Sequence, residues 1–290
     1  MSAKVNEEFG AEVSPEVHAV FERRFGGLRR LYGVAGADQI FDAHVVVVGI
    51  GGVGSWAVEG LARSGVRRLT LIDLDHVSES NINRQIHALD PTLGQAKTEA
   101  MRDRIALFHP GCVVDVIDDF VTPHNWPALL TGVLGEVRPS AVIDACDQVQ
   151  AKTALAAWSV AEQIPLICVG AAGGKRLAHA MEVADLAQVT HDPLLAQLRY
   201  RLRKHHGGAR QGAIGVTCVF SREAVATPDA ACGVDGASDG SLNCHGYGSV
   251  VSITASFGLC AAGWVINTVA RLPTKTVGQG FKVGKNDAII

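Results

Sequence analysis

VVVVGIGGVGSWAVEGLARSGVRRLTLIDLD, residues 45–75, decides the fold. Val45 to Val48 is an unbroken apolar run, the pattern of a parallel strand covered on both faces. Gly49, Gly51 and Gly54 follow as GxGxxG. Residues 55–64 read as a helix and Arg68 to Ile72 as the next strand, ending at Asp73 and Asp75. Glycines let the backbone approach phosphate, and the helix start offers free N–H groups and a positive dipole end. Asp73 stands about twenty residues after the loop, where a ribose-binding acid belongs. To this point a dinucleotide and a nucleoside triphosphate fit equally well.

The next residues, DLDHVSESNINRQIHALDPTLGQAK (73–97), break the tie. A dinucleotide site needs no Asn-x-Asn-Arg-Gln cluster and no lysine shortly after the ribose acid. A triphosphate does. Arg84 and Lys97 can neutralise phosphate oxygens, and Asn81 and Asn83 can add directed hydrogen bonds. Asp147, just beyond the apolar run of VIDACD, sits at a strand end from which it can share a magnesium ion with phosphates.

The rest of the chain repeats the strand–helix alternation. Strands are expected over 113–117, 141–143 and 166–169, and helices over 94–108 and 150–163. The class is therefore α/β, a doubly wound, Rossmann-like, mostly parallel sheet with a smaller, substrate-facing C-terminal extension. A helical opening is expected over 13–33. After residue 175 the signals weaken to short strands at 182–184 and 215–219 and a basic helix at 194–206. Residues 227–243 read as a mobile loop. The expected divisions are a helical arm at 1–40, a nucleotide-binding core at 41–175, a continuation of the same domain at 176–272 and a flexible tail at 273–290.

Composition sets outer limits. The 290 residues are 48% hydrophobic and 19% charged, ample for a buried core. Lys plus Arg number 26 against 29 Asp plus Glu, a formal charge of −3, so nucleic acid could be held only through a local basic patch. The seven cysteines are irregularly spaced with no CxxC, which argues against a disulfide framework and a four-cysteine zinc site. The polar, acidic N-terminus is not a signal peptide, so a cytoplasmic location is expected. Residues 248–270 carry no charge over about one membrane span. Their serines, threonines and asparagine favour a buried helix over membrane insertion and leave peripheral membrane association open.

GIGGVGS, LIDLD, SNINRQ, GQAK and DACD, in this order and spacing, resemble the ubiquitin-activating-enzyme superfamily with the ThiF/MoeB/HesA fold, whose members adenylate a carboxylate with ATP. The resemblance implies a nucleotide-binding set of Gly49, Gly51, Gly52, Gly54, Asp73, Asp75, Ser80, Asn81, Asn83, Arg84, Gln85, Lys97 and Asp147. In it Gly52 lies against the phosphates, residues 80–84 and Lys97 hold them, and Asp147 serves magnesium. Gln148 departs from the pattern, since sulfur-carrier activators usually have Asn after that Asp. Those activators also carry paired CxxC motifs, missing here. RFGGLRRLYG, NRQIHAL, DDFVTP, HDPLLAQLRYRLRK and GVTCVFSREA resemble instead the tRNA-threonylcarbamoyladenosine dehydratases, which cyclise a modified adenosine in tRNA.

That resemblance implies ATP and magnesium, names threonylcarbamoyladenosine-bearing tRNA as substrate, and admits both a sodium or potassium ion and a cysteine-desulfurase or sulfur-acceptor system as a protein partner. It implies a homodimer in which an N-terminal arginine reaches the partner's phosphates. Arg24 is chosen over Arg29 and Arg30, against the plainer reading of a solvated basic face. Cys244, beside His245, matches a cysteine of the dehydratases and joins Arg84, Lys97, Asp147 and Arg24 as a catalytic candidate, although an inert thiol is the plainer reading. Cys146 and Cys218 read as packing, and GAAGGK (170–175) as a tight turn near the cleft. In residues 198–210, Arg199, Arg201, Arg203, Lys204 and Arg210 with Tyr200 form the candidate tRNA contact. The competing readings are adenylation of the C-terminal glycine of a ubiquitin-like sulfur carrier, a nicotinamide-dependent oxidoreductase, and a non-catalytic ATP-binding protein.

Overall fold

The computed structural model describes residues 15–135, 137–227 and 247–272. Seven strands form one sheet: β1 (His44–Val48), β2 (Arg68–Ile72), β3 (Val113–Ile117), β4 (Ala141–Asp144), β5 (Leu166–Val169), β6 (Met181–Asp185) and β7 (Thr217–Ser221). Their order is β3-β2-β1-β4-β5-β7-β6. All neighbours are parallel except β6, which runs antiparallel to β7 at the edge.

Alternation along the strands builds two cores. Val45 and Val47 of β1 face one side and Val46 and Val48 the other. The first side is covered by α2 (Gly27–Phe41), α3 (Gly54–Arg63), α4 (Lys97–Ala106) and α8 (Val251–Val269). The second is covered by α5 (Ala128–Leu134), α6 (Val149–Glu162) and α7 (Pro193–His205). The doubly wound fold is the one the sequence alternation implies.

Three elements differ from expectation. The opening segment is two helices, α1 (Pro15–Phe25) and α2, and α2 runs past Gly33, which kinks it with φ of 73°. The helix expected over 94–108 starts only at Lys97, behind a 3₁₀ turn at Asp90–Thr92. Helix α5 was not foreseen: it spans seven residues, contains Gly132 and shows too little periodicity to register.

The uncharged run is α8. By length and composition it could cross a membrane, and it is the one such helix among the described residues. Ile253, Phe257, Ala261 and Val265 are wholly buried in the first core. A Cβ on Gly258 would come within 2.4 Å of the Val53 carbonyl oxygen, so α8 lies almost backbone-to-backbone on α3. The small residues in the run are what permit that approach, as in a core helix.

Three histidines are buried as neutral bases. Burial lowers His44 and His87 from 6.5 to about 3 and His109 to about 4. Positive neighbours add to this: Arg68 for His44, Lys97 and Arg104 for His87, and Arg24 for His109. In the unfolded chain these rings bind protons near pH 6.5, whereas the folded chain resists until pH ~3–4. Stability from this source is therefore complete above about pH 7 and is lost as pH falls toward 4. At pH ~5 each ring is expected to cost on the order of 1–2 kcal/mol. Urea unfolding at pH 7.5 and 5 checks this; equal midpoints would contradict it.

Candidate active site

A cavity of about 630 Å³ opens along the C-terminal edge of the sheet, where β1 lies between β2 and β4. That edge, at the reversal of strand order, is where doubly wound sheets bind ligands. Its walls are the turns that follow β1 to β5.

The turn after β1 is the glycine loop. Gly49, Gly51 and Gly52 line the cavity, whereas Gly54 lies behind them at the start of α3. Gly49 has φ of 86°, open to glycine at little cost. A Cβ on Gly54 would sit 1.7 Å from the Gly49 carbonyl oxygen, so the loop closes only because that position is bare. No side chain caps α3, which leaves its N-terminal dipole for a ligand. Gly54→Ala is expected to destabilise the fold by about 2–4 kcal/mol and to abolish nucleotide binding. A melting curve with and without ATP checks both effects.

After β2 stands Asp73, 7% exposed. One carboxylate oxygen accepts from the Ile50 amide at 2.5 Å and the other from the Asp75 amide at 2.8 Å. Burial raises its pKa, and Lys97 works against that rise. Each oxygen keeps a second lone pair for a ligand hydroxyl. Asp75 takes a different part, accepting from the Lys97 ammonium at 2.7 Å and holding that buried cation at the cavity wall.

The SNINRQ segment divides its labour. Asn81, Arg84 and Gln85 line the cavity. Gln85 is buried, and its side-chain oxygen has no partner among the described residues. Ser80 and Asn83, expected as ligands, are not on the cavity wall. The Ser80 carbonyl and the Asn83 side-chain oxygen each accept from Arg84 Nη1, at 2.7 and 2.9 Å, and Asn83 also donates to the Ser249 carbonyl. Ser80, through its backbone carbonyl, and Asn83, through its side chain, thus brace the guanidinium. The Arg84 carbonyl accepts from Trp56 and from Thr254 of α8, which ties the first core to the site.

After β4, Ala145, Cys146, Asp147 and Gln148 line the wall, with Asp147 exposed. The Cys146 Sγ lies 3.0 Å from Asp144 Oδ1, and burial drives its pKa well up, which suits a packing thiol. Burial likewise raises Cys168 and Cys218. After β5, Gly170 to Gly173 form the facing wall. This turn is pinned by buried Asp192, which accepts from the Ala171 amide and also caps α7 at Leu195. Lys175 donates to the backbone carbonyls of His191, Ser221 and Glu223 and is not on the cavity wall, so GAAGGK is a structural turn at the cleft. Sequence reasoning missed Asp144, Lys152 and Asp192; it also gave no role to residues 119–123 of the DDFVTP segment and to His124 after it, all of which line the cavity.

The remaining candidates lie elsewhere. Arg24 donates to the Phe108 carbonyl, just before β3 and at the opposite edge of the sheet from the cavity of its own chain. Arg29 is held by Glu22 and Asp38. On α7, Arg199 caps the carbonyls of Leu186 and Val189, and Arg203 that of Ala209. Exposed Lys204 and Arg210, half-buried Arg201 and exposed Tyr200 remain for a partner. Cys244, most of the 227–243 loop and the 273–290 tail lie outside the described residues.

A glycine loop, a ribose-type acid, two phosphate-type cations and an exposed carboxylate on one cavity define an α/β nucleotide-binding protein of the adenylating type. The ThiF family matches residues 25–283, and the chain belongs to that family. It is 42% identical over 276 residues to the tRNA threonylcarbamoyladenosine dehydratase of Escherichia coli, spanning 92% of this chain and all of that one. The solved E. coli dehydratase TcdA in complex with ATP is 42% identical, covers 89% of this chain and 97% of its own, and superposes with a TM-score of 0.77. The same enzyme in complex with AMP is 43% identical, with equal coverage and TM-score.

Proposed function

We infer that this chain is an ATP-dependent dehydratase of threonylcarbamoyladenosine in tRNA. The carrying observation is a triphosphate-type cavity in a chain colinear, over nearly its whole length, with dehydratases solved with ATP and with AMP. The sulfur-carrier reading lacks such full-length support.

The chemistry starts from a carboxylate, a poor electrophile. Its oxygen attacks the α-phosphorus of ATP and pyrophosphate leaves. The adenine-side nitrogen of the carbamoyl group then attacks the activated carbonyl to close a five-membered ring, loses its proton, and AMP departs with the former carboxylate oxygen. Attack within one molecule gains a high effective concentration, so no protein nucleophile is needed. The work of the protein is placement and charge stabilisation. Gly49, Gly51 and Gly52 cradle phosphate, Asp73 receives the ribose, and Arg84 and Lys97 meet the negative charge. Asn81 and Gln85 add hydrogen bonds.

The donor set fits magnesium held largely by phosphate oxygens. Asp147 offers a hard oxygen at the cavity, and among the described residues no three His, Cys, Asp or Glu side chains form a cage. When bound, the ion would offset charge on the leaving pyrophosphate. Asp147 is the residue to hold it.

The tRNA backbone is assigned to the outer end of α7. That helix has 13 residues, about 20 Å. Leu194 at its start lines the cavity, and Arg201, Lys204 and Tyr200 lie toward its far end. A homodimer is proposed with it: Leu31 and Val34 on α2 and Leu259 on α8 give exposed apolar surface for pairing, and Arg24 is offered to the partner's site. The location is cytoplasmic, with α8 as a core helix.

The test is to incubate the protein with ATP, magnesium and tRNA bearing threonylcarbamoyladenosine, then digest the tRNA and weigh the nucleosides. Loss of one water from the modified nucleoside, matched by AMP, is expected. An unchanged nucleoside, with activity appearing only on a carrier protein ending in Gly-Gly, would overturn the assignment.

A further inference from the structure

Asp144 and Lys152 are both completely buried and form an ion pair of 3.1 Å directly behind the Asp147 turn. Two of the contacts around it involve main chain. Lys152 Nζ donates to the Asp144 carbonyl at 3.2 Å. Asp144 Oδ1 accepts from the Cys146 amide at 3.3 Å and from the Cys146 thiol at 3.0 Å. The other carboxylate oxygen, Oδ2, is buried and has no hydrogen-bond partner among the described residues. Burial works to lower the Lys152 pKa, but its neighbours, Asp144 foremost with Cys146 and Cys168, together raise it, so the lysine stays an ammonium.

Such a pair is costly to bury. Apolar residues of similar volume would serve stability as well or better. The fold therefore gives no stability reason for it at this position. Its geometry does give a reason. The chain from Asp144 to Cys146 is wound onto one carboxylate, and Lys152, from the first turns of α6, locks that winding from behind. One residue further on, the Asp147 carboxylate engages no hydrogen bond or ion pair among the described residues. Its place at the cavity is set by the backbone before it and by nothing of its own.

We propose that the Asp144–Lys152 pair is a positioning device that fixes the turn carrying Asp147, so that this carboxylate meets the nucleotide-bound metal without first paying the entropy of ordering the turn. Neither residue touches the ligand. Preorganisation of this kind acts on the affinity of the site for the metal and on turnover, and leaves the metal-free nucleotide contacts on β1 and β2 alone. The inference rests on the assignment of Asp147 to magnesium.

The test uses the double variant Asp144→Asn with Lys152→Met, which removes both charges together and leaves no lone buried ion. Manganese binding is read by electron paramagnetic resonance in the presence of an ATP analogue with a methylene bridge between the α- and β-phosphates. Metal-free analogue binding is read by calorimetry, folding by the melting temperature. Expected are a melting temperature within a few degrees of the parent, unchanged metal-free binding, and a manganese Kd raised about 10-fold, the size seen for outer-shell changes at metal sites. A folded double variant with the parental manganese Kd overturns the proposal. Should the double variant fail to fold, Cys146→Ala removes the thiol with its contacts to Asp144 and to the Gln148 carbonyl and leaves the ion pair in place. A manganese affinity weaker by roughly two- to threefold, less than the ~10-fold of a lost outer-shell partner because the ion pair stays, is then expected, and no change overturns the proposal. Asp147→Ala is measured alongside. If it leaves manganese binding intact, the Asp147 assignment fails; if it abolishes binding while the double variant does not, only the positioning role fails.

Discussion

Replacing Lys97 with alanine is expected to lower kcat/KM for ATP by about 10²–10³-fold, the scale for removing one preorganised charge from a site that develops negative charge. The lysine is 6% exposed and the first residue of α4, held at the cavity wall by Asp75. Stability should change by less than about 1 kcal/mol, because the Asp75 side chain is 56% exposed and water takes over the lost pairing. Lys97→Arg should recover little, since a planar fork does not reproduce a compact buried ammonium. The loss also carries a pH signature. Burial raises Asp73 and Lys97 opposes that rise. Without the lysine the Asp73 pKa climbs further, and the acid limb of the kcat/KM profile moves to higher pH. Parental kinetics with ATP, or an unmoved acid limb, would remove Lys97 from the site.

Asp147→Ala is expected to reduce turnover by about 10²–10³-fold through lost metal and charge stabilisation. Its stability cost should stay within about 0.5 kcal/mol, because the side chain is exposed and bonded to nothing among the described residues. Excess magnesium should restore part of the rate, as the phosphates still offer oxygens. A loss that magnesium cannot touch, together with an unchanged manganese affinity, would mean that Asp147 acts otherwise.

The parts of this site that were legible in the sequence are those encoded over a few residues. The glycine loop, Asp73 and Lys97 follow from strand, turn and helix in fixed order, and the cavity brings them together. Side-chain direction is not encoded that way. Ser80 and Asn83 sit among cavity residues in sequence, but the Asn83 side-chain oxygen accepts from Arg84 and the Ser80 hydroxyl pairs with that of Ser78. The Asp144–Lys152 pair was invisible for a related reason. A lysine near the start of a helix reads as a solvated surface residue, and only the tertiary fold shows that its ammonium lies under β4. Asp192 likewise looks like an ordinary helix cap, and its second bond, to the turn after β5, spans 21 residues of sequence. The uncharged run of α8 was ambiguous between bilayer and core until the backbone contact at Gly258 supplied its packing partner.

The most direct measurement follows the oxygen atom that ring closure must remove. Prepare tRNA whose threonylcarbamoyl carboxylate carries heavy oxygen, allow a single turnover with ATP, and weigh the nucleotide products. An acyl-adenylate route places one heavy oxygen in AMP and none in pyrophosphate, while the modified nucleoside loses the elements of water. Unlabelled AMP, or heavy oxygen released in inorganic phosphate beside ADP, would contradict adenylation and with it the assigned chemistry of the cavity.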